Sequence, residues 1–120
     1  MGYPADSSII RFYHAHIYYD EASRPAAARL REEIETRFEV VMGRWREEPV
    51  GPHPQAMYQV AFGTEEFARI VPWLMLNRDG LTVLVHPETG DAYTDHAMNP
   101  LWLGEKLQLN VEMLKNLPKG

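Results

Sequence analysis

Alternating apolar and polar positions define the first element of the chain. The stretch from Ile9 to Tyr19 is dense in β-branched and aromatic residues, which is typical of a β-strand. Because strand side chains alternate between two faces, His14 and His16 lie on the same face, together with Tyr18. The opposite face carries Tyr13, Ala15, Ile17 and Tyr19. The pattern therefore predicts a strand that presents two imidazoles side by side.

A change to helical spacing predicts two helices. The first has an apolar stripe formed by Ala27, Leu30, Ile34 and Phe38. Ser23 is its expected N-cap, and Pro25 is acceptable in a first turn. The second is expected to begin at Thr64, with an apolar side formed by Phe67, Ile70, Val71 and Leu74. Pro72 is expected to kink this second helix or to mark a change in its register.

Four further strands are predicted from short apolar runs. They cover residues 40–46, 55–62, 81–86 and 107–113, and the run that ends at His86 is expected to stop at Pro87. A loop rich in proline and glycine over residues 49–54 separates the second strand from the third. Residues 88–104 are expected to be irregular.

The resulting βαββαβ order, followed by one more strand, predicts an α+β, ferredoxin-like fold with an additional C-terminal edge strand. We expect a flexible N-terminus over residues 1–8 and a single domain over residues 9–116. In this fold the helices cover one face of a sheet with strand order 4-1-3-2 and leave the other face open. The first strand is expected to run parallel to the third and antiparallel to the fourth.

Composition limits the classes of function. The chain has 120 residues, 45% hydrophobic and 24% charged, as in an ordinary globular domain. Its 12 basic residues are spread among 17 acidic ones, which argues against a nucleic-acid surface. The absence of cysteine excludes disulfides and thiolate sites. No apolar run is long enough to span a bilayer, so we expect a cytoplasmic protein without a membrane partner.

The topology predicts where the five histidines lie. His86 ends the fourth strand, which places it beside His14 on the open face. His53 is expected to enter the sheet where the first strand begins, and His96 follows the fourth strand at that same end. All five imidazoles can thus converge on one part of one face. The alternative is that the two histidines of the first strand are surface residues or members of an unrelated hydrogen-bond network.

The donor types suit a metal without sulfur ligands. Two or three neutral imidazoles with a carboxylate leave open positions on Fe(II), and the same set can hold Zn(II) with an activating water. Additional histidines can move protons near neutral pH. Glu88, Asp91 and Asp95 are the candidate carboxylates, but their neighbouring glycines and prolines leave their direction open. Arg44 and Arg46 alternate around Trp45 and can receive a substrate carboxylate.

Four segments, taken in order, resemble the DOPA 4,5-dioxygenase family. The resemblance runs from about Phe12 to Met113. It implies a non-haem iron extradiol dioxygenase with a ferredoxin-like fold, which adds both atoms of O₂ to a catechol such as DOPA or a dihydroxyphenyl acid. The segments are Phe12-Tyr13-His14-Ala15-His16-Ile17-Tyr18-Tyr19, Gly51-Pro52-His53-Pro54, Leu84-Val85-His86-Pro87 and Asp95-His96.

Roles are assigned from the topology as hypotheses. The metal ligands are predicted to be His14, His16 and His86, holding Fe(2+) or, as the alternative ion, Zn(2+). His53 and His96 are predicted to line the pocket as catalytic proton-transfer groups or as alternative metal ligands. The predicted substrate-binding residues are Arg44, Arg46, Tyr18 and Gln59. A homodimer is also expected.

Two other classes of function remain open at this point. One is a non-catalytic ferredoxin-like module that binds a metal or a small molecule on the same face. The other is an interaction domain whose open face packs in a dimer and buries the histidines in hydrogen-bond networks. Oxygen uptake separates the enzyme from both, and metal analysis separates the binding module from the interaction domain.

Overall fold

Five strands form one antiparallel sheet in a computed structural model that describes residues 4–120. The strands are β1 (Phe12–Tyr18), β2 (Val41–Met42), β3 (Met57–Phe62), β4 (Val83–Glu88) and β5 (Leu101–Leu103), in the order β2-β3-β1-β4-β5. The α-helices are α1 (Arg24–Arg37) and α2 (Phe67–Asn77). The predicted α+β, ferredoxin-like architecture with an additional edge strand is confirmed.

The helices pack on the face of the sheet that the alternation predicts. Ala15 and Ile17 of β1 are fully buried against Leu30, Ile34, Ile70 and Leu74 of the two helices. Val60 of β3 and Val83 and Val85 of β4 complete this apolar layer. The odd-numbered residues of β1 therefore stabilise the fold, and its histidines lie on the opposite face.

The predicted direction of the third strand is wrong. β3 runs antiparallel to β1, with Tyr18 opposite Met57, because the connection between β2 and β3 reverses the chain. The loop that precedes β3 consequently lies at the end of β1, beside Tyr18, and not at its beginning. His53 enters the sheet from this other end.

Two strand boundaries also differ from the prediction. β4 continues through Pro87 to Glu88. Proline has no backbone N–H to donate, but none is needed at Pro87 because β5 pairs only with Val83 to Val85. The ladder of β2 covers only two residues, followed by an isolated bridge between Arg46 and Met57. The strand predicted over residues 40–46 is thus interrupted.

The additional strand lies earlier in the chain than expected. β5 covers Leu101–Leu103, whereas residues 107–113 form no strand and end in a 3-10 helix at Val111–Asn116. Leu107 and Leu109 instead pack on the open face against Tyr18, Met57 and Leu84. Their alternation reflects contact with a sheet face and not membership of the sheet.

The predicted helix caps are not formed by the expected side chains. Ser23 caps nothing with its hydroxyl and instead bonds to Asp20, whose carboxylate accepts from the Ser23 backbone N–H at 2.8 Å. Thr64 begins a 3-10 turn, Thr64–Glu66, that leads into α2. Pro72 lies within α2 without ending it.

The structure describes only part of the predicted flexible N-terminus, residues 1–8. Residues 1–3 of the expected flexible stretch lie outside the described residues, and Ser7–Ile9 form a 3-10 turn. Within residues 4–120, no helix has the length and apolar character needed to cross a membrane. The domain boundaries and the cytoplasmic location stay predictions.

Candidate metal centre and active site

Five imidazoles lie together on the open face of the sheet. His16 is central, because its ring centre is 4.2 to 6.2 Å from the ring centres of the other four histidines. The rings of His86 and His96 are also close, with centres 3.9 Å apart. His16, His53 and His86 are buried, and His14 and His96 are half-buried. We call these five residues the imidazole cluster.

Strand register explains why the cluster forms at β1 and β4. His14 and His86 are directly opposite each other in the antiparallel pair, and His16 is two residues further along the same face of β1. The Nε2 atoms of His16 and His86 are 3.0 Å apart. His14, His16 and His86 each offer a nitrogen that lies within 4.8 Å of the other two.

A second group of three shares His16 with the first. His16, His53 and His96 also offer nitrogens that lie within 4.8 Å of one another. His53 comes from the proline-rich loop before β3, and His96 comes from the π-helical turn Thr94–Met98 after β4. The cluster therefore draws its members from four separate parts of the chain: β1, the loop before β3, β4 and the π-helical turn.

The Nδ1 atoms of His86 and His96 are held by backbone carbonyls outside the cluster. His86 Nδ1–H donates to the carbonyl of Pro87 at 3.0 Å, and His96 Nδ1–H donates to the carbonyl of Ala92 at 2.8 Å. A carbonyl only accepts, so in the neutral state the Nε2 atoms of both rings carry lone pairs. Outer partners of this kind are typical of histidines that bind metals.

Glu88 supplies the corresponding partner for His14. Its Oε1 atom lies 3.0 Å from His14 Nδ1 and 3.9 Å from His86 Nδ1. Because β4 continues through Pro87, Glu88 lies on the same face as His86, two residues further along. The hydrogen bond from His14 lowers the pKa of the Glu88 carboxyl. An ionised carboxylate at this position favours N–H at Nδ1 and a lone pair at Nε2 of His14.

Tyr18 holds His53. The Tyr18 hydroxyl is 2.6 Å from His53 Nδ1, and both side chains are buried. Burial raises the pKa of the Tyr18 phenol, so the hydroxyl stays protonated at neutral pH. Since a hydroxyl can donate as well as accept, His53 differs from the histidines that are held by carbonyls.

The turn that carries His96 is fixed by a buried carboxylate. Asp95 is fully buried, and it accepts from the Thr89 backbone N–H at 2.9 Å and from the Thr89 hydroxyl at 2.6 Å. Thr89 directly follows β4, so these two bonds connect the π-helical turn to the strand that carries His86. Single π-helical turns are frequent at functional sites.

Burial favours the neutral form of four members of the cluster, His16, His53, His86 and His96. It lowers the pKa of His16 and of His86 well below the ordinary value, and the neighbouring imidazoles add to the effect. The same cause lowers the pKa of His53 to about 4 and also lowers the pKa of His96. These four rings are thus available as nitrogen donors at neutral pH, because only a neutral imidazole binds a metal.

The observed residues fit a divalent metal ion. His16 Nδ1 is buried without a hydrogen-bond partner among the described residues, which is costly for a polar atom. The opposite nitrogen of the ring, Nε2, lies 3.0 Å from His86 Nε2, where nitrogens of His14, His16 and His86 converge. A donor set made of imidazoles suits Fe(II) and Zn(II).

The predicted substrate residues lie at different distances from this centre in the sheet. Gln59 is directly opposite His16 on β3. Arg46 pairs with Met57, the first residue of β3. Arg44 is exposed in the segment between β2 and this bridge. The Tyr18 hydroxyl already bonds to His53. Their roles in binding a substrate stay predictions.

Sequence reasoning listed Glu88 and Asp95 only as carboxylates of unknown direction. Glu88 was missed as an outer partner because Pro87 was taken to end the strand. The signal that was available is the spacing of Glu88 from His86, which places both on one face if the strand continues. For Asp95, the Thr89 contact depends on the path of an irregular turn that no periodicity predicts.

The comparisons with known proteins agree on one family. The model of the Dopa 4,5-dioxygenase family matches residues 13–113. An uncharacterised 21.2 kDa protein from Botryotinia fuckeliana is 38% identical over 95% of this chain and 69% of its own length. A DOPA 4,5-dioxygenase from Amanita muscaria is 35% identical over 92% of this chain, which spans about half, 51%, of that protein.

A solved structure shares the fold. The crystal structure of a candidate dioxygenase from Nostoc punctiforme superposes with a TM-score of 0.92 at 58% sequence identity. The match covers 93% of this chain and 97% of that one.

Proposed function

Since this chain belongs to the Dopa 4,5-dioxygenase family, we propose that it is an extradiol dioxygenase that opens a catechol ring with O₂ at a non-haem metal. The observation that carries the proposal is the imidazole cluster, whose nitrogens converge on the open face of the sheet. The Amanita relative is a DOPA 4,5-dioxygenase. DOPA or a related dihydroxyphenyl acid is therefore the proposed substrate.

The proposed metal ligands are His14, His16 and His86, with Fe(2+) as the ion and Zn(2+) as the alternative. When bound, a ferrous ion supplies Lewis acidity that favours a deprotonated catechol and redox chemistry that activates O₂. The outer bonds from His14 to Glu88 and from His86 to Pro87 hold these two rings in one orientation and one tautomer.

His53 and His96 are the proposed proton-transfer groups. The bond to Ala92 leaves a lone pair at His96 Nε2, and burial keeps that ring neutral, so it can accept a proton from a catechol hydroxyl. His53 bonds to a hydroxyl that can donate or accept, so the ring keeps this hydrogen bond whether its Nδ1 atom carries a lone pair or, after the ring has gained a proton, an N–H.

Gln59 and Tyr18 support this site from the sheet. Gln59 shares a face with His16, and its amide can both donate to and accept from a substrate oxygen. Tyr18 is proposed to act through His53, whose ring it orients. Arg44 and Arg46 are carried forward as proposed partners of a substrate carboxylate.

A homodimer is proposed for the same face. Phe12 is 38% exposed and Val41 is 72% exposed, and both lie on the open side of the sheet near His14. A second copy of the chain would cover this apolar rim. Analytical ultracentrifugation of the wild type and of Val41→Lys tests the proposal. We expect a dimer for the wild type and a shift toward monomer for the variant. A monomeric wild type would contradict the proposal.

The experiment that tests the proposed activity is reconstitution without oxygen. The full chain is loaded with Fe(II), mixed with DOPA or 3-(3,4-dihydroxyphenyl)propionate, and then exposed to O₂. The expected result is uptake of one O₂ per catechol and a yellow ring-opened product. Protein loaded with Zn(II) is the matched control and should bind the catechol without consuming O₂. Bound metal without oxygen uptake in the iron sample would contradict the enzyme and support a binding module.

A further inference from the structure

A groove lies directly beside the imidazole cluster, between the π-helical turn Thr94–Met98 and the chain that follows β5. Its volume is about 210 Å³. His96 forms part of one wall, and the residues after β5 form the other. The lining residues used below are His96, Trp102, Lys106, Leu107, Gln108 and Leu109.

Apolar contacts give this groove a defined floor and wall. Trp102 pairs with Leu84 across β4 and β5, and its ring stacks on Tyr18 with centres 6.1 Å apart. Leu107 and Leu109 pack on the same part of the open face. The Asn110 backbone N–H donates to the carbonyl of Pro52 at 2.9 Å, which connects the wall to the loop that carries His53.

The groove has one positively charged side chain, Lys106, among the described residues that line it. Lys106 is exposed and forms no ion pair with another described residue. A groove lined by an aromatic ring and a single ammonium group matches a flat ring that bears an anionic side chain.

We infer that this groove holds the substituent of the catechol ring and that Lys106 binds its carboxylate. The inference rests on the proposed function and names its preferred substrate class, catechols with an anionic side chain. If the two hydroxyls of the catechol ring face the cluster at His96, the substituent on the opposite side of the ring extends along the groove, past Trp102. The ammonium of Lys106 then meets the carboxylate as a flexible point charge.

The position of Lys106 distinguishes it from the two arginines. In the sheet order β2-β3-β1-β4-β5, the groove flanks β4 and β5, where His86 and His96 also lie. Arg46 pairs with Met57 on the far side of β3. The two candidate cations thus lie on opposite sides of the cluster, and a substrate extending from His96 along the groove would meet Lys106.

Three catechols of similar size test the inference. They are 3-(3,4-dihydroxyphenyl)propionate, 4-ethylcatechol and 4-(2-aminoethyl)catechol, which carry a negative, a neutral and a positive substituent. Their binding to the Fe(II)-loaded chain is measured by calorimetry without oxygen, and their KM and kcat are measured with it. The variants are Lys106→Gln, Lys106→Arg, Lys106→Glu, and Arg46→Gln for the competing assignment. Arg29→Gln, on the far side of α1, is the charge control.

Lys106→Gln should weaken binding of the propionate about three- to tenfold, as expected for an exposed ion pair strengthened by a hydrogen bond. Binding of 4-ethylcatechol should change less than twofold. Lys106→Arg should restore the anionic preference, and Lys106→Glu should shift it toward the aminoethyl compound. The effect should appear in KM and not in kcat.

Two results would overturn the inference. One is equal weakening of all three catechols by Lys106→Gln, and the other is a selective loss in Arg46→Gln while Lys106→Gln binds normally. The calorimetry needs no turnover. Failure of the wild type to open any catechol would therefore count against the proposed function, and the binding data would still decide the role of Lys106.

Discussion

The two faces of the sheet are built from alternate residues of the same strands, and they differ in chemistry. On the helix side, Ala15, Ile17 and Val85 are fully or almost fully buried among aliphatic groups. On the open side, their neighbours His14, His16 and His86 are held by polar contacts. The difference teaches that one strand can separate stability from function with a period of two residues.

The separation has a physical cost on the open side only. Apolar burial on the helix side stabilises the fold at any pH. Buried imidazoles stabilise it only while they are neutral and hydrogen-bonded or bound to a metal. Changes to one face should therefore alter stability, and changes to the other should alter metal binding.

The largest effect is expected from His16→Ala. This substitution removes the imidazole that belongs to both groups of potential ligands. We expect less than stoichiometric iron and a loss of turnover on the order of a thousandfold, because several kcal/mol of metal assistance are lost. Iron is measured by mass spectrometry after gel filtration, and circular dichroism monitors the fold. Full iron content in the variant would contradict the ligand role.

The neighbouring change, Ile17→Ala, should have the opposite profile. Ile17 is fully buried in the helix-side core, so the free energy of unfolding should fall by roughly 2–5 kcal/mol. Urea unfolding measures this loss. Folded protein should still bind iron with wild-type stoichiometry, and Ile17→Val should lose less stability. An iron deficit in folded Ile17→Ala would show that the two faces are not independent.

Acid should destabilise the metal-free protein through the open face. The pKa of His53 is lowered from 6.5 to about 4 by burial, so between these values the unfolded chain binds more protons than the folded one. The contribution of His53 is therefore complete above pH 6.5 and is lost as the pH falls through about 4. By pH 4 the loss should be about 3 kcal/mol.

Urea unfolding in chelator, repeated between pH 7.5 and pH 4, measures this dependence. His53→Asn should show a flatter profile than the wild type over the same range. Identical slopes for the two proteins would mean that His53 does not resist protonation in the folded state.

The smallest effect is expected from Glu88→Gln. The variant keeps an oxygen near His14 but removes the negative charge that favours N–H at Nδ1. Affinity for Fe(II) or Zn(II) should fall about ten- to a hundredfold, as is typical for outer partners of metal-binding histidines. Competition with a chelator measures this, and Glu47→Gln, at the exposed Arg24 pair, is the control. An unchanged affinity would limit Glu88 to a structural role.

The parts of the fold with clear periodicity were predictable. The alternation in β1 correctly places Ile17 under the helices and His16 on the open face, because the side-chain period of a strand is fixed by its geometry. The order of strands and helices correctly predicts the order of the first four strands in the sheet, and the position of His86 in β4 places it beside His14.

The errors in the predicted fold have identifiable physical causes. The alternation of Leu107 and Leu109 was interpreted as a strand, but these residues pack on the open face without ladder partners. The parallel orientation assigned to β3 placed His53 at the wrong end. His53 nevertheless joins the cluster, because the proline-rich loop turns back toward Tyr18. Loop paths of this kind depend on tertiary contacts that local patterns do not contain.

The central claim is that the imidazole cluster holds one metal ion on the open face of the sheet. The most direct test is a crystal structure of the chain loaded with Fe(II) or Zn(II), with the ion located by anomalous scattering. The account predicts one ion per chain, with the nitrogens of His14, His16 and His86 about 2.1 Å from it. An ion bound away from the cluster, or a cluster without an ion in metal-saturated crystals, would contradict it.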